Sequence, residues 1–153
     1  MPEYISNNCY EDYVWYFAYA LASGILFVFV SVKHLMKKKK ILITDDDSGV
    51  QDIFKLIFER AGYEVAVYGE AFSIFENKFT KPDLFLLDKQ LSGQDGLKVC
   101  QFLKGQSGTK DIPIIIVSAT PGIRNLAKDA GADDFLEKPF QMKELLKMVA
   151  KWI

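Results

Sequence analysis

Three acids in a row, Asp45, Asp46 and Asp47, follow the apolar run ILIT at residues 41–44, and a single acid, Asp88, follows the run LFLL. Ser118 follows IIIV, and Lys138 follows FLE. Carboxylates crowded together repel one another and shift their pKa values upward unless a cation offsets the charge. Oxygen-only ligands suit a hard ion such as Mg²⁺. With a metal and the ammonium of Lys138 to neutralise an incoming phosphoryl group, one carboxylate can act as a nucleophile and form an aspartyl phosphate. The hydroxyl of Ser118 is then suited to bond a phosphoryl oxygen.

That chemistry requires elements that bring the four positions together. The runs ILIT (41–44), VAVY (65–68), LFLLD (84–88), IIIVS (114–118) and FLEK (135–138) are mostly apolar without alternation, as parallel strands covered on both faces are. Between them lie helical periods. Val50, Ile53, Phe54, Ile57 and Phe58 form one apolar stripe, and Met142, Leu145, Leu146, Val149 and Ala150 form another. Gly62 and Gly131 stand where such helices stop. Repeated strand-helix alternation predicts an α/β fold, a doubly wound five-stranded parallel sheet sandwiched by helices. In such sheets ligands bind outside the carboxyl ends of the strands, where Asp45, Asp46, Asp88, Ser118 and Lys138 would all fall.

The 153 residues are half hydrophobic and a quarter charged, enough for one domain with a sizeable core. A formal net charge of -1 and the absence of a basic stripe interleaved with aromatics predict no nucleic-acid partner. Cys9, Cys100 and His34 have neither disulfide-framework nor zinc-site spacing. From Tyr13 to Val32 the chain carries no charge over 20 residues, about 30 Å of helix, which predicts a transmembrane helix. Glu3, Glu11 and Asp12 precede it, while Lys33 and Lys37 to Lys40 follow it. Residues 1–12 are therefore expected as an extracytoplasmic tail, 33–40 as a basic linker and 41–153 as the globular domain, facing the cytoplasm at the membrane. A start at Met36 would instead give a free cytoplasmic domain, and the run could also be a buried core helix. An acidic leader and the lack of a small-residue cleavage site argue against a signal peptide.

The motifs ILITDDDSG, PDLFLLDKQLSGQDGL, IIIVSAT and DDFLEKPF together resemble the receiver domain of two-component response regulators, from Lys37 to Ile153. The resemblance implies a flavodoxin-like receiver fold, with Asp88 as phosphoacceptor and Lys138 and Ser118 as its catalytic companions. It implies Mg²⁺ held by Asp45, Asp46, Asp88 and the backbone carbonyl of Gln90. Ser118 and Phe135 fall at switch positions, and the Lys138-Pro139 bond would be cis. The implied partners are a sensor histidine kinase or histidine phosphotransfer protein as donor and a downstream protein target; with the last helix expected to run to Ile153 and the charge as stated, neither an output domain nor a nucleic-acid partner is expected. Such a chain catalyses only its own phosphorylation and dephosphorylation. Ser92 departs from the family by replacing the proline that usually precedes the glycine. Lys89 and Gln90 replace an apolar pair, and Gln90 and Thr120 would flank the phosphoryl group and tune its lifetime.

Other readings of the same residues are blander. Asp46, Asp47 or Ser48 could simply cap the next helix, and Ser118, Lys138 and Phe135 could be ordinary strand-end residues. The coincidence of all four motifs is what favours the receiver. A Mg²⁺-dependent aspartyl-phosphate phosphatase would need a second acid two residues after Asp88, where Gln90 stands. An EF-hand starting at Asp88 would need an acid at Val99, and a dinucleotide fold would need GxGxxG after the first strand. A degenerate receiver acting only as a docking module would not need Asp88 and Lys138 intact.

Overall fold

The computed structural model describes residues 37–153. The tail expected over 1–12 and the transmembrane helix expected over 13–32 lie outside the described residues, as does the first half of the linker over 33–40. Among the described residues no helix is long and apolar enough to cross a membrane.

The apolar runs become strands of one sheet. These are β1 (Lys40–Thr44), β2 (Glu64–Tyr68), β3 (Leu84–Asp88), β6 (Ile114–Ser118) and β7 (Asp134–Glu137), in the order β2-β1-β3-β6-β7 with every pairing parallel. Every residue of β3 and β6 is buried, whereas the edge strands β2 and β7 are mostly half-buried. Their sequences differ accordingly: a central parallel strand has no face left for polar side chains.

Two apolar layers result from the period of two along each strand. Leu42, Phe85, Leu87, Ile114 and Ile116 pack on one face with Val99, Cys100 and Leu103 of α3 (Gly96–Lys104) and with Ile123 and Ala127 of α4 (Ile123–Asp129). Ile41, Ile43, Leu84, Leu86, Ile115 and Val117 pack on the other with Phe54 and Phe58 of α1 (Ser48–Arg60) and with Leu145 and Val149 of α5 (Met142–Trp152). The short α2 (Phe72–Phe75) adds Ile74 to the first layer. A separate two-stranded hairpin, β4 (Gln90–Leu91) with β5 (Gln94–Asp95), connects β3 to α3.

The helical stripes are narrower than their sequence periods. Ile53 is 54% exposed, because Phe54 and Phe58, with Val50 beside them, centre α1 on the sheet. On α5, Ala150 is exposed and Met148 packs on the core instead. Asp47 is the helix cap among the three acids, with Oδ1 accepting from Gly49 N at 2.8 Å and from Val50 N at 3.2 Å.

Asp134 fastens the end of α5 to β7. Its Oδ2 accepts from Trp152 Nε1 and from Lys151 Nζ, each at 3.2 Å. Burial alone would raise the pKa of this carboxyl, but hydrogen bonds from Trp152, Lys151 and the Phe135 N–H outweigh it and hold the group below the ordinary 3.8. A depressed folded-state pKa gives stability that is present above the ordinary value and is lost as pH falls through the folded one. Asp134→Ala is therefore expected to lower stability by about 1 kcal/mol at pH 7. The difference from wild type should shrink below pH 3.8 in urea unfolding; a gap independent of pH would assign the effect to packing.

Candidate functional site

Strand register puts the polar residues on one edge. Thr44, which precedes Asp45, stands opposite Leu87, which precedes Asp88; Asp88 stands opposite Val117, and Ser118 opposite Glu137. The chain leaves β1 toward β2 and returns to β3 on the other side. Strand order thus reverses between β1 and β3, and Asp45 and Asp88 flank the crevice this opens.

Asp45 is 2% exposed and Asp88 8% exposed. Lys138 Nζ donates to Asp88 Oδ2 at 2.6 Å and reaches Asp45 Oδ2 at 3.4 Å, so one ammonium serves two buried carboxylates. The Lys138 N–H donates to Ser118 O at 2.7 Å, fixing where its side chain starts, and the Lys138-Pro139 peptide bond is cis. Asp45 Oδ1 accepts from Asp47 N at 3.0 Å, and Asp88 Oδ1 accepts from Gln90 N at 3.1 Å. Ser118 is fully buried at the end of β6, its Oγ accepting from Thr120 N at 2.9 Å.

Burial pushes the Asp45 carboxyl above its ordinary pKa; the Asp47 N–H and the Lys138 charge oppose the shift, and the charge of Asp88 adds to it. For Lys138, burial would lower the pKa, but the hydrogen bond and charge of Asp88, followed by Asp45, raise it. Two like charges about 4 Å apart interact by about 4 kcal/mol at an effective dielectric of 20. A lone ammonium between two carboxylates therefore leaves a surplus negative charge at the crevice.

The turn after Asp88 is packed tightly. A Cβ on Gly96 would lie 2.0 Å from the Asp88 carbonyl oxygen, so the first residue of α3 must lack a side chain for the helix to abut the end of β3. The Gly96 N–H donates to Lys89 O at 2.8 Å, and Asp95 caps the helix by accepting from Leu97 N at 2.9 Å. The QDG sequence carried this cap signal, but only the fold shows that the glycine supports Asp88.

Not every expected residue joins the cluster. Asp46 is exposed, and its Oδ2 accepts from Ser92 Oγ at 2.7 Å. Phe135 is half-buried on β7 with the Arg124 guanidinium of α4 4.7 Å from its ring centroid, a contact that sequence reading did not find. Gln90 lies in β4, with its N–H turned to Asp88. Among the described residues no three His, Cys, Asp or Glu side chains converge so as to hold a metal. The donor chemistry nevertheless suits a hard divalent ion: the groups are oxygen-only, and a cation would offset both the burial and the Asp88 charge that raise Asp45.

The response regulator receiver domain family matches residues 41–150. The chain belongs to this family. It is 38% identical over 117 residues to RpaA of Synechocystis, a DNA-binding dual master transcriptional regulator, covering 72% of this chain and 47% of the relative. It is 33% identical over 115 residues to the DNA-binding response regulator MtrA of Mycobacterium tuberculosis, covering 73% and 49%. The chain thus spans about half the length of these curated relatives. Among solved structures it resembles the receiver domain of sensor histidine kinase PA1611 from Pseudomonas aeruginosa, which has a magnesium ion coordinated in the active-site cleft. The TM-score is 0.68 at 25% identity, covering 76% of this chain and 98% of that one.

These relatives correct one expectation. The sequence predicted no nucleic-acid partner, whereas both curated relatives are DNA-binding regulators. The physical reason is that net charge describes this chain alone, which spans about half the length of those DNA-binding relatives, and it carries no information about the rest of such a protein.

Gly96→Ala is expected to lower stability by about 1–3 kcal/mol, since the new methyl group must push the Asp88 carbonyl aside. Urea unfolding, with amide shifts at Asp88 and Lys89 on either side of the displaced peptide, would measure it. Unchanged shifts at both amides would show that α3 does not set the position of Asp88.

Proposed function

We propose that this receiver accepts a phosphoryl group from a phosphohistidine donor onto Asp88 and signals through the change in charge that follows. The observation that carries this reading is the nearly buried Asp88 carboxylate with the Lys138 ammonium 2.6 Å away. An Asp88 oxygen attacks phosphorus, the bond from phosphorus to the donor imidazole nitrogen breaks, and the histidine leaves with that electron pair and takes up a proton. Lys138 neutralises the new charge. Ser118, at the end of the adjacent strand, accepts from the Thr120 N–H and would donate its hydroxyl hydrogen to a phosphoryl oxygen.

Asp45, Asp46, Asp88 and the carbonyl of Gln90 are the groups that would hold Mg²⁺, and the Ser92 hydroxyl already bonds one oxygen of Asp46. The ion, when bound, supplies positive charge against the phosphoryl oxygens. Movement of Ser118 and Lys138 then biases the region of Phe135, where Arg124 rests on the ring. The chain turns over no metabolite in this reading. The DNA-binding relatives support an output that ends in transcription, with protein contact as the step nearest the receiver. Residues 13–32 would hold the domain at the cytoplasmic face of the membrane.

Asp88→Asn should abolish Mg²⁺-dependent labelling by a small phosphodonor while the fold persists by circular dichroism. Labelling that is undiminished and acid-stable would sink the assignment. Lys138→Ala should still accept phosphate, slowly, without the amide-shift changes around Ser118 and Phe135; if those changes survive, Lys138 has no switching role. For the anchor, the unmodified chain should resist alkaline carbonate extraction. An arginine in place of Gly24 should cost about 2.5–3.5 kcal/mol of insertion free energy and release it; a protein that is soluble without modification would end the membrane reading.

A further inference from the structure

Of the expected metal ligands, Asp46 is the one whose side chain is committed elsewhere. Asp45 and Asp88 are buried and share the Lys138 ammonium, whereas Asp46 is exposed and accepts the Ser92 hydroxyl at 2.7 Å. The bond joins residues 46 positions apart, one just after β1 and the other in the β4–β5 turn. Ser92 and Gly93 are the central residues of that turn, between the paired Leu91 and Gln94, and Gly93 takes a φ of 76°. The backbone is well served by proline at the first central position of a turn whose second central residue has positive φ. Serine gives up that preset geometry and supplies a hydroxyl, which goes to Asp46.

We propose that Ser92 is a positioning residue that holds the Asp46 carboxylate off the cluster of Asp45, Asp88 and Lys138. A divalent cation entering the crevice then draws the Asp46 carboxylate inward against the Ser92 hydrogen bond to its Oδ2. Gln90, whose carbonyl is the backbone ligand in the proposed site, stands two residues before Ser92 on the same hairpin. The Ser92 turn and the bound carbonyl therefore move together, and Ser92 weakens metal affinity while coupling metal binding to the hairpin. The inference rests on the reading of this crevice as a Mg²⁺ site.

Titration of the whole chain with MgCl₂, followed by amide shifts and calorimetry, tests it without any phosphorylation. Ser92→Ala should tighten Mg²⁺ binding about two- to tenfold, the range expected when a hydrogen bond of ordinary net strength no longer competes. Ser92→Thr, which keeps the hydroxyl, should stay close to wild type. In an Asp46→Ala background, Ser92→Ala should change nothing. Weaker or unchanged binding by Ser92→Ala, or the same gain in the Asp46→Ala background, overturns the role given to Ser92. Absence of saturable Mg²⁺ shifts at Asp45, Asp88 and Gln90 in the wild-type chain would instead overturn the metal site itself and this inference with it.

Discussion

The ammonium of Lys138, shared between two buried carboxylates, is the interaction on which the arrangement of this edge depends. Removing a carboxylate from water is costly, and the charge of Asp88 adds to the burial that raises Asp45, so the Lys138 charge is what opposes that shift from the side-chain side. With it, the crevice keeps two buried carboxylates beside one ammonium. A small cation or a change in covalent charge can act on such a balance. Removing Lys138 would leave both carboxylates without their shared ammonium.

What holds the three groups together is the packing beneath them. β3 and β6 are buried along their whole length, so neither can slip by a residue without turning an apolar set to the wrong layer. The polar residues sit where this constraint ends, on the last strand residue or the next one. Register thus converts apolar packing into precision at the edge: Asp88 lies opposite Val117, and the Lys138 N–H bonds the carbonyl of Ser118. Gly96 completes the frame by letting α3 abut the Asp88 carbonyl.

Beyond the carboxylates, the edge connects to parts of the surface that can change. Thr120 N–H occupies the hydroxyl of Ser118, Ser92 occupies Asp46, and Arg124 lies over Phe135. Each is a single contact of modest strength, far weaker than the packed strands below. In the proposed function, a change in charge at Asp88 would rearrange them while leaving the sheet intact. The stable and adjustable parts of the protein are separated along the same strands.

The strands, the two-layer α/β order and the strand-end positions of Asp45, Asp88, Ser118 and Lys138 were legible in the sequence, because periodicity and strand-end polarity are properties of short stretches. The motifs also carried the family. What sequence could not assign was which acid does what: Asp47 caps α1, Asp45 shares Lys138, and Asp46 bonds Ser92, although the three are adjacent and chemically identical. Ile53 likewise fits the helical stripe and yet faces solvent. Nor could the charge of this chain reveal that its relatives are DNA-binding regulators. Local sequence determines which side chains leave the strand ends, but Lys138 meets Asp45 across 93 residues and Asp88 across 50. Sheet register and competition among neighbouring donors decide such pairings, and both exist only once the tertiary structure has formed.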